Sequence, residues 1–533
     1  MSVFQFDETT TDRPAKSDFI GPHKSTVSFF LGAMTTEGGS AQENKEELKR
    51  LVIEAITQQC QAVAAAAASP AASAPTAASP PADLLACADA ISNGHKLHLT
   101  ILTGGLANYS YRAHFPTAPP GTPSLFAKLT FTYALLFPDK PCPIRRTQCE
   151  FDAMRIFQEC AKASTKATDA SINPYFCIDI GSDKKLLVTE YSKLDEQFAN
   201  QFIDGVVDLR IAPKLAHSLA ALHSLPNVEV SFNEEMKPFF QDLATIMEGI
   251  FSGFFSEEDG AGDDRPTDFA RSLGQTALND IYKTYCNDIE RSDCHIHGDC
   301  HVFNMLVGAK PSISTLENFD KCGDVCLIDW EMSHCGPIGK DIGFILPFPI
   351  AAIFAHALNG NASGATQILQ FLDILWDEYS QAVSTEVNVA DVYKSVLSFA
   401  GVILVSYYKI GFHMEYLPLD EGNMDGLNRV KESLGLIGLK CMQWGFGQGC
   451  CDASKKALRQ MFKDALDEEM KLLAPAKAIR RGRRSSMLRA SGRRVSDAHL
   501  YVLSESMKRN RNSFLQAEAL LADVMEAEES EKV

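Results

Sequence analysis

Cys294-His-Ile-His-Gly-Asp-Cys-His-Val-Phe-Asn-Met305, taken together with Ile328-Asp-Trp-Glu331, decides how this chain is read. Two carboxylates and a carboxamide stand at fixed spacings beside apolar residues. Asp299 and Asn304 are five apart in a short polar loop, and the apolar run Val325–Ile328 delivers Asp329 at the end of an expected strand. Phosphoryl transfer asks for such a set: one carboxylate to orient a hydroxyl nucleophile, and an amide plus an acid to hold Mg²⁺ against phosphates. On this reading Asp299 is catalytic, and Asn304 and Asp329 are metal ligands. A zinc centre built from His297, His301 and Cys294 or Cys300 is the competing reading. Asp299 and Asn304 already explain the spacing without it.

Upstream, Ser124-Leu-Phe-Ala-Lys128 is a short apolar strand carrying a lysine. Such a lysine pairs the α- and β-phosphates of ATP when a glutamate from the next helix holds it. Glu150, in Arg146-Thr-Gln-Cys-Glu-Phe-Asp-Ala-Met154, opens that helix. Without the downstream motif, two solvated surface charges would explain the pair equally well. Thr103-Gly-Gly-Leu-Ala-Asn-Tyr-Ser-Tyr-Arg112 reads as strand, tight turn, strand. Gly104 and Gly105 there let backbone N–H groups approach phosphate oxygens, although an ordinary hairpin has the same pattern. Leu129–Arg145, long and rich in proline, is expected to form a flap near the nucleotide.

His-Gly-Asp-x-x-x-x-Asn followed by Ile-Asp-x-Glu resembles the aminoglycoside phosphotransferase-like superfamily of small-molecule kinases, which includes choline and ethanolamine kinases and methylthioribose kinase. The resemblance runs from about Leu97 to Gly447. It implies an α+β, bilobal, protein-kinase-like fold with a small β-rich N-lobe and a large helical C-lobe. It implies ATP and Mg²⁺ as cofactors, Glu331 as a further Mg²⁺ ligand, and a hinge whose backbone near Glu190 and Tyr191 reads the adenine edge. Gly105-Leu-Ala-Asn108 resembles the choline kinase nucleotide loop and adds Asn108 to the nucleotide contacts. Ile211–Leu225 resembles the superfamily helix that supports the catalytic loop, so His217 and His223 are read as structural, as is Asp341, which is expected to brace that loop. Gly336-Pro-Ile-Gly-Lys-Asp-Ile-Gly343, the long spacer between Lys128 and Glu150, and Phe399-Ala-Gly401 look like methylthioribose kinase. Asn304 itself and the Ser406-Tyr-Tyr408 region depart from that enzyme's pattern. The alternative acceptor is choline or ethanolamine, with Tyr407, Tyr408 and Glu415 forming an aromatic and acidic pocket for a cation. A nucleotide-binding pseudokinase scaffold is a third reading, and the presence of Asp299 argues against it.

The 533 residues suit two lobes plus tails. The expected divisions are a disordered tail over 1–42, a helix over 43–63, an Ala/Pro/Ser linker over 64–81, an N-lobe over 82–192, a C-lobe over 193–473 and a basic-then-acidic tail over 474–533. A net charge of −18 argues against nucleic-acid binding. Fifteen cysteines without zinc spacing and a start without a signal-peptide core suit a reducing, cytoplasmic setting. The apolar run Ile342–Leu358, interrupted by Pro347 and Pro349, reads as a buried helix pair. Lys477–Arg494 holds eight Lys/Arg and no acid, with Arg-Arg-x-Ser ending at Ser486 and Ser496. Weak contact with an anionic membrane, phosphorylation and pairing with the acidic 518–531 stretch are the expected uses of that run. The partners expected are a small-molecule alcohol and, as a further candidate, a second copy of the chain.

Overall fold

The computed structural model describes residues 40–68, 81–102, 108–134, 137–163, 166–167, 171–194, 196–225, 254, 264–308, 323–383, 387–411, 413–419, 423–446 and 455–474. The expected N-terminal tail, most of the linker, Gly104, Gly105, the basic run with Ser486 and Ser496, and the acidic end lie outside these residues. The chain divides into two units, Met1–Pro475 and Ala476–Val533, and the second is wholly outside the described residues.

Two helices precede the first strand, α1 (Ser40–Ala68) and α2 (Ala82–Ser92). Five strands then form one antiparallel sheet in the order β1-β2-β3-β7-β6: β1 (His98–Leu102), β2 (Tyr109–His114), β3 (Leu125–Phe131), β6 (Pro174–Asp179) and β7 (Lys184–Glu190). Alternation along β3 sends Ala127 and Leu129 to one face and Lys128 to the other. The apolar face is buried together with Leu48, Val52, Ile56 and Cys60 of α1 and Leu84 and Cys87 of α2. The helix expected over 43–63 is therefore longer than its amphipathic pattern suggested, and it shares the N-lobe core. Its i, i+4 apolar stripe is the half of that core the strands cannot supply. The expected flap is a small hairpin, β4 (Tyr133–Ala134) and β5 (Phe137–Pro141), leaving the end of β3.

Helix α3 (Arg146–Ala163) leads out of the hairpin, and its Phe157 packs on Trp330 with ring centroids 4.8 Å apart. The C-lobe follows with β8 (Glu196–Gln197), α4 (Ala199–Asp204), α5 (Ile211–His223), α6 (Arg265–Leu273), α7 (Gln275–Ile289), β9 (Cys294–Ile296), β10 (Met305–Val307), β11 (Val325–Leu327) and β12 (His334–Gly336). Its helical body is α8 (Lys340–Ile345), α9 (Pro347–Leu358), α10 (Ala362–Ala382), α11 (Val389–Lys409), α12 (Met424–Phe446) and α13 (Lys455–Leu473). Asn361 and Asn388 cap α10 and α11 by accepting the N–H of Gly364 and Ala390, each at 3.1 Å. Helices α11 and α12 cross closely at Gly401, where a Cβ would stand 2.6 Å from the Gly438 carbonyl. Three helical stretches among the described residues are long and apolar enough to cross a membrane. Two of them, Lys340–Leu358 and Val389–Lys409, are 89% and 72% buried inside the lobe, so they are core helices here. The mixed α+β, two-lobed architecture is the one expected from the sequence.

Candidate active site

The loop between β9 and β10 is held from below by one carboxylate. Asp341, at the start of α8, accepts the N–H of His297 at 2.7 Å and of Gly298 at 2.9 Å, and His223 Nε2 lies 3.0 Å away. Burial would raise the Asp341 carboxyl, but His223 and the loop N–H groups bring it down to about 2. His223 Nδ1 is in turn 2.7 Å from the Tyr379 hydroxyl, and His217 contacts Glu378, so both histidines are structural. His297 Nε2 donates to the Ile328 carbonyl at 3.0 Å, fixing the loop to the strand that precedes Asp329. Gly298 has φ +86, and a Cβ there would meet the Met332 carbonyl at 2.0 Å. Only glycine fits the turn.

Asp299 and Asn304 come together as expected. Asn304 Nδ2 donates to the Asp299 carbonyl at 3.0 Å and to its Oδ2 at 3.2 Å. His301 Nε2 lies 3.5 Å from the same Oδ2, which leaves Oδ1 without a partner among the described residues. Partial desolvation raises Asp299, yet His301, with His297 and Lys340 behind it, holds the carboxyl well below the usual range. Asp299 in turn lifts His301 above the usual imidazole value against the pull of burial. The Ile328 N–H donates to the Asn304 carbonyl at 3.0 Å. Together with the Met305–Leu327 register, this sets Asn304 opposite Ile328, the residue before Asp329. Asp329 has φ 64 and ψ 59, a left-handed conformation that costs a non-glycine residue about 1–3 kcal/mol and concentrates at functional sites.

Across the cleft, Lys128 Nζ lies 2.8 Å from Glu150, 2.5 Å from Asp329 and 3.1 Å from Glu331. Burial opposes the ammonium, but Asp329, Glu150 and Glu331 overrule it and hold its pKa well above the usual value. Three acids share that one ammonium. Buried Glu150 is accordingly pushed up to about 7, by desolvation first and then by Asp329 and Glu331 against the opposing pull of Lys128. Asn108 Nδ2 donates to Glu331 Oε2 at 2.7 Å, so Asn108, just before β2, reaches the Asp329–Glu331 stretch. Oxygens of Glu150, Asp329 and Glu331 lie within 4.8 Å of one another, the one such cluster found among the described residues. Hard oxygen donors carrying excess negative charge fit Mg²⁺. The side chain of Asp329 is 41% exposed and that of Glu331 12%, so both remain open to an arriving ion, whereas Glu150 is closed off behind Lys128. No zinc-like His/Cys cluster of three or more occurs among the described residues.

At the hinge, the N–H groups of Glu190 and Tyr191 donate to the carbonyls of Asn173 and Ser124 at 2.8 and 3.3 Å. Both N–H groups are thus engaged within the fold, so the expected reading of an adenine edge would fall to carbonyls there. On the acceptor side, Tyr408 does not join Tyr407. Its hydroxyl donates to Asp264 at 2.5 Å and its ring stacks with Phe254. The ring cluster that adjoins Asp299 through His301 consists of His301, Phe303, His413 and Tyr416, with Tyr407 edge-on to His413 at 6.1 Å. The His413 ring stacks on Phe303 with centroids 4.2 Å apart, and Phe303 lies 5.4 Å from Tyr416. Burial and His301 push His413 down to about 4, so it is neutral near pH 7. His413 and Asp329 are the only described non-glycine residues with positive φ. No role is read for Arg146 or Phe303 from the sequence, whereas His413 ends the stretch Tyr407–His413, whose aromatics are expected either on the acceptor side or in the core. Arg146 carried a signal, because it stands one helical turn before Glu150 and so shares its face.

Residues 178–372 match the model of the phosphotransferase enzyme family, a span that holds the catalytic loop and the metal strand. No curated protein matches the chain. Among solved structures, the amicoumacin kinase hAmiN, in complex with AMP-PNP, Ca²⁺ and Ami, is similar at 13% identity, with 63% of this chain and 87% of that one covered and a TM-score of 0.37. An aminoglycoside phosphotransferase from Alicyclobacillus acidocaldarius is 13% identical over 70% of this chain and 96% of its own, with a TM-score of 0.36. The kinase APH(2")-IIia, with GDP and kanamycin, is 13% identical over 64% and 93%, with a TM-score of 0.35.

Proposed function

We propose that this chain transfers the γ-phosphoryl group of ATP to a hydroxyl of a small molecule. The observation that carries this reading is the convergence of Lys128, Glu150, Asp329 and Glu331 on one point, beside the Asp299–Asn304 loop. Lys128, steadied by Glu150, binds the α- and β-phosphates. Asn304, Asp329 and Glu331 are the residues that would hold Mg²⁺, which when bound neutralises charge on the transferring group. Asp299, with Oδ2 occupied by Asn304 and His301, offers Oδ1 to the acceptor hydroxyl. Its depressed pKa makes it a weak base, so it acts by orienting the hydroxyl and takes the proton late.

The acceptor favoured is an uncharged sugar alcohol of the methylthioribose type. The motif at Gly336–Gly343 supports it, and so does a wall of Phe303, neutral His413 and Tyr416. Displacement of Tyr408 toward Asp264 removes one side of the cationic pocket considered from sequence. Glu415, exposed beside Tyr416, supports choline or ethanolamine as the second reading. Specificity constants for methylthioribose, choline, ethanolamine and related alcohols, taken in one coupled ATP assay, test the choice. A methylthioribose preference supports the first reading and an amino-alcohol preference replaces it. ATP binding with no turnover on any alcohol would leave only a nucleotide-binding scaffold.

A further inference from the structure

Arg146 is 1% exposed and gathers groups from four separate stretches of chain. Its Nη1 donates to the carbonyls of Phe131 at 3.0 Å, Pro143 at 3.1 Å and Cys142 at 3.3 Å. Its Nη2 donates to Asn108 Oδ1 at 3.1 Å and to the Tyr133 carbonyl at 3.3 Å. Those carbonyls are the two feet of the β4–β5 hairpin. Nε lies 3.5 Å from Glu331 Oε2 and makes no hydrogen bond. The far end of the Asn108 amide donates to that same Oε2, and Lys128 stands 3.1 Å from it. Glu331 is thus gripped at one oxygen, Oε2, and among the described residues no hydrogen bond is made to Oε1.

We infer that Arg146 is a positioning residue for the metal side of the site: through Asn108 and Glu331 it sets the orientation in which Glu331 meets the divalent cation. The inference rests on the kinase reading above. Residues that orient a metal ligand without touching the metal typically change metal affinity by about 10–100-fold when replaced. A guanidinium suits this place because its planar fork donates in several directions at once, which a single ammonium cannot reproduce. A residue serving only to pack the hairpin would instead affect nucleotide binding equally with and without metal.

The test uses the full chain and no acceptor. ATP affinity is measured calorimetrically across a Mg²⁺ series for the wild type, Arg146→Lys and Asn108→Ala, with folding checked by melting. Arg146→Lys is expected to raise the Mg²⁺ concentration at the midpoint about tenfold, and Asn108→Ala to move it the same way by less. Metal-free ATP affinity of Arg146→Lys should stay within about twofold of wild type, since the effect acts through the ion; Asn108→Ala, at an expected nucleotide contact, is read by its Mg²⁺ midpoint alone. Should Arg146→Lys fail to fold, Arg146→Gln, which keeps a hydrogen-bond donor on the same side chain, is measured in the same series and decides. An unchanged midpoint, or equal losses with and without Mg²⁺, overturns the inference while leaving the kinase reading intact. A wild type whose ATP affinity ignores Mg²⁺ removes that underlying reading and the inference with it.

Discussion

Replacing Asp341 by Asn tests whether one buried carboxylate holds the catalytic loop. Asp341 is fully buried and accepts two loop N–H groups while facing His223. Asn is nearly the same shape, but one oxygen becomes an NH₂ that can only donate. At least one charge-assisted bond is lost, worth about 1.5–3 kcal/mol, and a buried donor is left without an acceptor at about 1–3 kcal/mol. The expected destabilisation at neutral pH is therefore about 3–5 kcal/mol, the range seen when a buried charged pair is broken. The pH dependence gives a second handle. The folded pKa of about 2 lies below the ordinary value of 3.8, so this stabilisation is complete above pH 4 and is lost as pH falls toward 2. The shift corresponds to about 2–3 kcal/mol. That is less than the Asn figure, because a protonated acid keeps both oxygens and an amide does not. Denaturant unfolding from pH 6 to pH 2 provides the assay. An Asn variant within about 0.5 kcal/mol of wild type at pH 6, a change typical of neutral surface substitutions, would refute the bracing role, as would an unaltered acid limb.

Lys128→Met should lower turnover by about 10²–10³-fold, the cost of removing one preorganised electrostatic partner; retention of wild-type rates would show that the Lys128–Glu150 pair is only structural. Gly298→Ala should unfold or severely loosen the loop, because its Cβ meets the Met332 carbonyl at 2.0 Å and φ is +86; a variant that melts like wild type would contradict the tight turn. His413→Ala should raise the KM for the acceptor several-fold, with ATP binding and folding nearly unchanged, since removing wall contacts weakens uniform binding; an effect on ATP alone would place His413 elsewhere.

Much of the site could be read in advance because its chemistry is local. Asp299 and Asn304 share one loop, Asp329 ends an apolar strand, and Lys128 and Glu150 follow the strand-then-helix order that phosphate binding needs. What escaped the reading depends on distance in sequence. Asn108 meets Glu331 across 223 residues, and no local pattern announces such a pair. Arg146 shares a helix face with Glu150, yet its enclosure comes from hairpin carbonyls that turn toward it from both sides. Tyr407 and Tyr408, adjacent on a helix, point about 100° apart, so only one could face the catalytic loop. The acceptor wall depends on His413 adopting a left-handed backbone just after α11, which tertiary packing decides and sequence does not.

The central claim is that Asp299 orients the acceptor hydroxyl while a separate cluster binds the nucleotide. Asp299→Asn keeps the shape of the loop and removes the carboxylate, so phosphoryl transfer from ATP to the best alcohol of the panel is the measurement to make, alongside Mg·ATP affinity. The account predicts a fall in turnover of about 10²–10⁴-fold, the usual contribution of a positioned acid–base group, with Mg·ATP affinity within about twofold of wild type. Wild-type turnover in Asp299→Asn would contradict it.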